Sequence, residues 1–234
     1  MKARISTLAR NKRVNNMVDL RNELIKNINQ YHVKLMKGNS KTGKDCWTVS
    51  LIPIADCYNC EKCMVDCYDI NTDCRFPNVI TSRAINSAIH KVDIERYFSE
   101  ISQLIKLNNV KELRYNVGGD FNYYDFVYVE RVAKENPQCE FIFFTKSYDD
   151  INKFITDNGN FSPNVHPIIS RWLEVDCENK YNLPESHVLY DDGKTTAPLF
   201  GAKYCQGNCS DCFAGISEGC PTLKNGESVI FRAH

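Results

Sequence analysis

Eight of the twelve cysteines stand in two short groups, and this clustering constrains the chain more than any other feature. The first cysteine group is Cys57, Cys60, Cys63 and Cys67, and the second cysteine group is Cys205, Cys209, Cys212 and Cys220. The N-terminal residues are basic and lack the apolar stretch of a secretory signal, so we expect a protein of the reducing cytoplasm. Disulfides are rare in that compartment, and clustered thiols there usually bind metal.

The first cysteine group has the spacing C-x2-C-x2-C-x3-C. This is the run of bacterial ferredoxins, except that Tyr68 follows the fourth cysteine where proline is usual. Zinc sites usually use two cysteine pairs that are a dozen or more residues apart, whereas these four cysteines all lie between residues 57 and 67. The spacing therefore favours a [4Fe–4S] cluster, with a zinc site, a redox-active dithiol or unliganded cysteines as the alternatives.

The second cysteine group has the spacing C-x3-C-x2-C-x7-C, and Pro221 follows its last cysteine as in ferredoxins. Three nearby glycines would let the backbone approach inorganic sulfide closely. We expect a second cluster or a zinc staple here, so the chain would hold one or two [4Fe–4S] clusters, or zinc. In two-cluster ferredoxins the fourth cysteine serves the other cluster, and Cys67 and Cys220 could exchange in that way.

Strand and helix patterns alternate through the middle of the chain. Strands are predicted at 46–52, 111–117, 139–145, 165–173 and 187–190. Helices are predicted over at least the first half of 14–36, at 84–107 as one long helix or two consecutive ones, at 123–135 and at 149–156. Short connections between alternating elements imply right-handed crossovers and a parallel sheet. We predict an α/β fold with a basic helical arm and loop at 1–45, a core at 46–190 and an irregular cysteine-rich segment at 191–234.

The charge distribution is asymmetric although the net charge is zero. Residues 1–44 carry eleven Lys or Arg against two acids, and the remainder carries the matching acidic excess. A basic arm of this kind predicts either a nucleic-acid partner or an arm that folds back on the acidic body. No apolar run approaches the ~20 residues of a membrane span, so we expect no membrane partner.

The order of strand, cysteine loop, helix and a strand that ends in Gly118, Gly119 and Asp120 resembles the radical S-adenosylmethionine superfamily. The resemblance covers roughly residues 46–175. It implies a parallel (βα)n partial barrel, a [4Fe–4S] cluster and S-adenosylmethionine as cofactor. It also implies that these three residues bind the methionyl amine, with aspartate where the family has glutamate.

The cysteine spacing departs from that superfamily, whose loop is C-x3-C-x2-C and leaves one iron open. The first cysteine group has a fourth cysteine, and its last three members give the spacing in reverse. The family spacing occurs instead at Cys205, Cys209 and Cys212. If all four cysteines of the first group bind one cluster, no iron is open for the cofactor.

A second resemblance is to a phage and prophage family called gene product eighty-eight. It depends on Gly38–Lys44 (GNSKTGK), on the cysteine loop that ends in Cys67 and Tyr68, and on Gly-Gly-Asp-Phe at 118–121. The resemblance covers most of the chain. It implies a mobile-element origin, hence the host cytoplasm, and it implies no reaction.

Three functions compete at this point. The first is a radical S-adenosylmethionine-like enzyme that modifies a nucleic acid or a peptide. The second is a nucleic-acid-binding protein with structural iron–sulfur or zinc sites and with residues 1–44 on phosphates. The third is a small electron carrier, and the size of the α/β core argues against this function.

Overall fold

The computed structural model describes residues 6–38, 42–60, 63–72, 74, 76–173, 175–190, 193 and 201–232. Within these residues the chain forms a parallel sheet with helices between its strands. This confirms the predicted α/β class and is consistent with a partial (βα)n barrel.

The sheet has seven described strands, all parallel to their neighbours, in the order β1-β2-β3-β4-β5-β7-β6. The strands are β1 (Cys46–Val49), β2 (Glu112–Tyr115), β3 (Glu140–Thr145), β4 (Val165–Ser170), β5 (Glu185–Leu189), β6 (Lys203–Tyr204) and β7 (Ser228–Arg232). Because the strands are parallel, the loops that follow β1, β2, β3 and β4 meet at the same edge of the sheet. We call this the carboxyl edge.

Seven α-helices accompany the described strands. They are α1 (Thr7–Ile25), α2 (Tyr68–Thr72), α3 (Pro77–Val92), α4 (Ile94–Leu107), α5 (Tyr123–Glu135), α6 (Tyr148–Asn158) and α7 (Cys209–Phe213). None of the helices in the described ranges is both long enough and apolar enough to cross a bilayer.

The main core lies between one face of the sheet and helices α3 to α6. Alternate strand residues such as Tyr115, Phe141 and Phe143 are fully buried there, together with Phe126 of α5. Their rings contact one another, with the centroids of Phe126 and Phe143 5.5 Å apart. A strand buried in this way reads as a continuous apolar run, which is how β3 could be predicted from the sequence.

The opposite face of the sheet, which we call the inner face, carries the other alternate residues. Arg114 pairs in register with Ile142, and its guanidinium lies 4.9 Å from the centroid of the Phe144 ring. Helix α7 lies on this face, because the ring of Phe213 is 6.4 Å from that of His166 on β4. The inner face therefore turns towards the C-terminal cysteine-rich segment.

Helix α1 (Thr7–Ile25) begins earlier than the predicted residue 14, and its end at Ile25 agrees with a helix over the first half of 14–36. The Ser6 side chain caps its first turn. Its buried residues follow a helical spacing of three and four, but two of them are arginines: Arg10, Val14, Met17, Arg21 and Leu24. Because hydrophobic periodicity counts arginine as exposed, the first turns of α1 were missed.

The C-terminal segment expected to be irregular contributes strands β6 and β7 to the sheet. β7 pairs with β5 over five residues, from Glu185 with Ser228 to Leu189 with Arg232. The sheet therefore contains strands from both sides of residue 190. Pairing of this kind depends on tertiary structure, because a two-residue strand such as β6 has no periodicity to detect.

Candidate metal centres

The first cysteine group lies on the loop that leaves the carboxyl end of β1. Cys57 and Cys60 are in that loop, Cys63 begins a 3-10 turn, and Cys67 precedes α2. All four side chains are partly buried. Burial raises the pKa of Cys57, and the charges of Asp120 and of two neighbouring thiols raise it further. The group is therefore gathered at the edge where parallel α/β proteins bind ligands.

Ile54 shapes the loop ahead of the first cysteine group. Its φ of 68° lies in the left-handed region, which a β-branched residue rarely adopts. In this conformation the Ile54 N–H donates to the Cys57 Sγ at 3.3 Å, and the Cys60 thiol donates to the Ile54 carbonyl at 3.7 Å. An N–H donor favours the thiolate that a metal requires. Sequence reasoning missed this residue because isoleucine carries no signal for a left-handed turn.

The Gly-Gly-Asp loop that follows β2 packs directly on the loop of the first cysteine group. The Asp120 N–H donates to the Asp56 carbonyl, and the Leu51 N–H donates to the Gly118 carbonyl, each at 2.9 Å. Gly119 has a φ of +88°, and a Cβ there would lie 2.7 Å from the Leu51 Cβ. Glycine is needed for both the conformation and the close approach. The three residues thus lie beside the first group, while their role as cofactor-binding residues stays a prediction.

The Asp120 carboxylate is buried and is held by main-chain donors. Its two oxygens accept the N–H groups of Phe121 and Lys146, each at 2.8 Å. Burial raises the pKa of Asp120, while these hydrogen bonds and the Lys146 ammonium oppose the rise. The Asp120 charge in turn contributes to the raised pKa of Cys57 and of Cys63, after burial itself. A fixed acidic group therefore adjoins the thiols of the first group.

Arginines of α1 hold the loop of the first cysteine group from the other side. Arg10 donates to the Val65 carbonyl at 3.0 Å, and Arg21 forms an ion pair with Asp56 at 3.0 Å. Both arginines are buried. The α1 part of the basic arm therefore folds back on the acidic body through these side chains.

Lysines of the same arm point to solvent. The exposed ones are Lys12, Lys26, Lys34, Lys37 and Lys44. A nucleic-acid partner for residues 1–44 would meet these lysines and not the buried arginines. Residues 1–5 and 39–41, which include part of the Gly38–Lys44 motif, lie outside the described residues.

The second cysteine group follows β6. Cys205 comes directly after that strand, Cys209 and Cys212 lie on α7, and Cys220 begins a 3-10 turn. Burial raises the pKa of Cys220, and the charges of the other three thiols raise it further. A Cβ at Gly219 would clash with the Cys212 sulfur, so glycine lets the chain pass close to that thiol. The four thiols of this group are neighbours in space.

Ser210 ties the second cysteine group to the amino end of β1. Its N–H donates to the Thr42 carbonyl at 3.0 Å. Its Oγ accepts the N–H groups of Asp45 at 3.3 Å and Cys46 at 3.1 Å. The two cysteine groups consequently lie at opposite ends of the same strand.

Within the described part of the chain, no three His, Cys, Asp or Glu side chains converge on a point that could hold a single metal ion. The assignment of the eight clustered cysteines as metal ligands therefore stays a prediction. Of the scattered cysteines, Cys74 has a different partner, since the Arg83 guanidinium lies 2.9 Å from its sulfur and also pairs with Asp69. Cys139 is buried in the main core.

Comparison with known proteins gives a family match over most of the chain. A family model described as GP88, gene product 88, matches residues 22–214. The matched range includes the whole first cysteine group, the Gly-Gly-Asp loop and three of the four cysteines of the second group. No curated protein and no solved structure matches the chain.

Proposed function

The chain belongs to the gene product 88 family, and from its cysteine chemistry we propose that it is an iron–sulfur protein of the reducing host cytoplasm. The observation that carries this proposal is the contact between the four-cysteine loop and the Gly118–Asp120 loop at the carboxyl edge. Ligands of parallel α/β sheets bind at that edge. The first cysteine group would hold a [4Fe–4S] cluster, and the second cysteine group would hold a separate centre.

The residues of the first group fit such a cluster in three respects. The four cysteines come from one short loop with ferredoxin spacing, and all four are partly buried. The Ile54 N–H already points at the Cys57 Sγ, and hydrogen bonds of this kind tune cluster potentials. The loop is anchored independently of any metal by Arg10 and Arg21. When bound, the cluster supplies one-electron redox chemistry.

A radical S-adenosylmethionine-like enzyme, acting on a nucleic acid or a peptide, is the finer form of the proposal. It requires one iron without a cysteine ligand, so one of the four cysteines must not bind the cluster. Cys67 suits that part by its position, because it directly precedes α2, whereas Cys57 and Cys60 are both hydrogen-bonded to the Ile54 main chain. Gly118, Gly119 and Asp120 would then bind and orient the methionyl end of the cofactor.

Nucleic-acid binding is the second candidate function, and the exposed lysines of residues 1–44 favour it. A phosphate-binding surface predicts that affinity for DNA or RNA falls steeply as salt rises. Replacing Lys12, Lys26 and Lys34 with glutamine should then weaken binding and flatten the salt dependence. An affinity that these changes leave unaltered would contradict a role of the arm in binding.

The proposal is tested by anaerobic purification followed by iron, sulfide and zinc analysis. Two cubane clusters predict about eight iron and eight sulfide per chain, and one cluster predicts about four of each. A variant with Cys57, Cys60 and Cys63 changed to alanine should lose the first cluster. Cys139→Ala is the matched control, because this buried cysteine lies in the main core. Zinc without sulfide would overturn the iron–sulfur proposal.

The enzymatic form has a separate test. Dithionite-reduced protein with a full iron content should cleave S-adenosylmethionine to 5′-deoxyadenosine, and Cys67→Ala should retain this cleavage whereas Cys57→Ala should not. Absence of cleavage by well-loaded protein would overturn the enzymatic form and leave the iron–sulfur proposal standing.

A further inference from the structure

Cys46 belongs to neither spaced group, yet the fold brings it to the second one. It is the first residue of β1 and is fully buried. Its backbone N–H donates to the Oγ of Ser210, the residue directly after Cys209. The N–H and the hydroxyl of Ser210 both donate hydrogen bonds to the Thr42 carbonyl. These hydrogen bonds hold residues 42–46 against α7.

The Cys46 side chain lies on the same face of the sheet as Arg114. In the parallel pairing of β1 with β2, Cys46 is the register partner of Glu112 and Thr48 is the register partner of Arg114. The Arg114 Nη1 in turn lies 3.8 Å from the Cys209 Sγ. Cys46 is therefore a fifth thiol of this region.

Arg114 gives an independent indication of what the region holds. Its Nε is buried and has no hydrogen-bond partner among the described residues, where no carboxylate forms an ion pair with it either. The groups whose charges act most strongly on it are Tyr68 and the thiols of Cys209, Cys220 and Cys46. A cation that is removed from water needs a nearby negative charge. Thiolates gathered on a metal would supply that charge, because a metal keeps coordinating thiols deprotonated.

We propose that Cys46 is a ligand of a second thiolate-ligated metal centre on the inner face, formed with cysteines of the second group, and that Arg114 is its counter-charge. Four thiolates complete a cubane or a tetrahedral zinc site, so one of the five cysteines is dispensable. Cys212 is the one we expect to be dispensable, since its Sγ lies 3.3 Å from the Ser217 Oγ. This centre does not depend on the cluster proposed for the first cysteine group.

The test uses the full chain with Cys57, Cys60 and Cys63 changed to alanine, so that any remaining metal reports on the second centre alone. The protein is reconstituted anaerobically either with ferrous iron and sulfide or with Zn²⁺ alone, desalted, and analysed for metal. We expect about four iron and four sulfide, or about one zinc, per chain. The two arms distinguish a cluster from a zinc site, and either result supports the centre.

Adding Cys46→Ser to this background should lower metal retained at limiting concentration by at least ~10-fold. Adding Cys139→Ala, at a cysteine of the main core, should change it by less than about twofold. Far-UV circular dichroism of the metal-free variants shows that each is folded. Full metal retention by Cys46→Ser, or a background protein that is folded and binds no metal, would overturn the proposal.

Discussion

The buried Arg21 of α1 forms an ion pair at 3.0 Å with the carboxylate of Asp56, in the loop of the first cysteine group. At the second cysteine group, the Arg114 Nη1 instead lies 3.8 Å from a thiol sulfur, the Cys209 Sγ. The first region balances its charge with a carboxylate and is held by hydrogen bonds that need no metal. In the second region, the acidic groups that act most strongly on the arginine are the Tyr68 phenol and three thiols. The first loop is therefore preorganised by the protein, and the second region depends more on its ligand for charge balance.

The largest effect on the metal-free protein is expected from Arg21→Met. It leaves the Asp56 carboxylate partly buried without its cation, which costs about 3 kcal/mol or more of the free energy of unfolding. Asp56 also accepts the Ile52 N–H at 2.8 Å, so the loop itself should loosen. Urea unfolding measures the change. The exposed Lys12→Met should have little effect, and an equally small effect of Arg21→Met would show that the ion pair does not anchor the loop.

Glycines of the two regions provide the next comparison. Gly119→Ala combines a positive φ with a Cβ that would meet Leu51 at 2.7 Å, so we expect a loss of about 3 kcal/mol. Gly207 has a φ of +83° and open space around its Cβ position, so Gly207→Ala should cost only about 1 kcal/mol. Thermal unfolding of the two variants gives the difference. Equal losses would mean that backbone strain alone accounts for both.

Acid sensitivity should arise partly outside both cysteine groups, at Glu185 on β5. Burial alone raises the pKa of Glu185, but hydrogen bonds from His187, Arg171 and Asn179 outweigh it and lower the pKa from 4.5 to about 2. Because the folded-state pKa is the lower one, its contribution is present above about pH 4.5 and is lost as the pH falls towards 2.

Glu185→Gln should therefore lower stability by about 1 kcal/mol at pH 7, after allowance for solvent screening, and by much less near pH 2. Urea unfolding at the two pH values measures this. Glu218→Gln, on an exposed side chain, is the control. A loss for Glu185→Gln that does not change with pH would show that its hydrogen bonds and not its charge are responsible.

The smallest effect is expected from Arg114→Met in the metal-free protein, about 0.5 kcal/mol or less, because no carboxylate is left unpaired. In loaded protein the same change should weaken metal binding ~10–100-fold. Chelator competition measures the second quantity and urea unfolding the first. A large loss of stability in the metal-free protein would remove the contrast between the two arginines.

Much of the fold could be predicted from local patterns. The strands β1 to β5 and helices α4 to α6 follow hydrophobic periodicity, and the apolar run at 140–145 marks a strand buried on both faces. The first turns of α1 were missed because Arg10 occupies a buried position there. β7 was missed because its partner β5 lies about 40 residues away in the chain, and local periodicity contains no information about such pairing.

The sequence by itself determined the parallel α/β class, the two cysteine groups and the family, since each depends on residue types and spacings within short windows. Only the tertiary structure decided that the Gly-Gly-Asp loop lies against the first group, that Ile54 points its N–H at Cys57, and that Cys46 is hydrogen-bonded to Ser210, the chain neighbour of Cys209. The physical reason is that sheet order sets which strand ends meet. Contacts between those ends, and the charges that must be balanced there, exist only after the strands have paired.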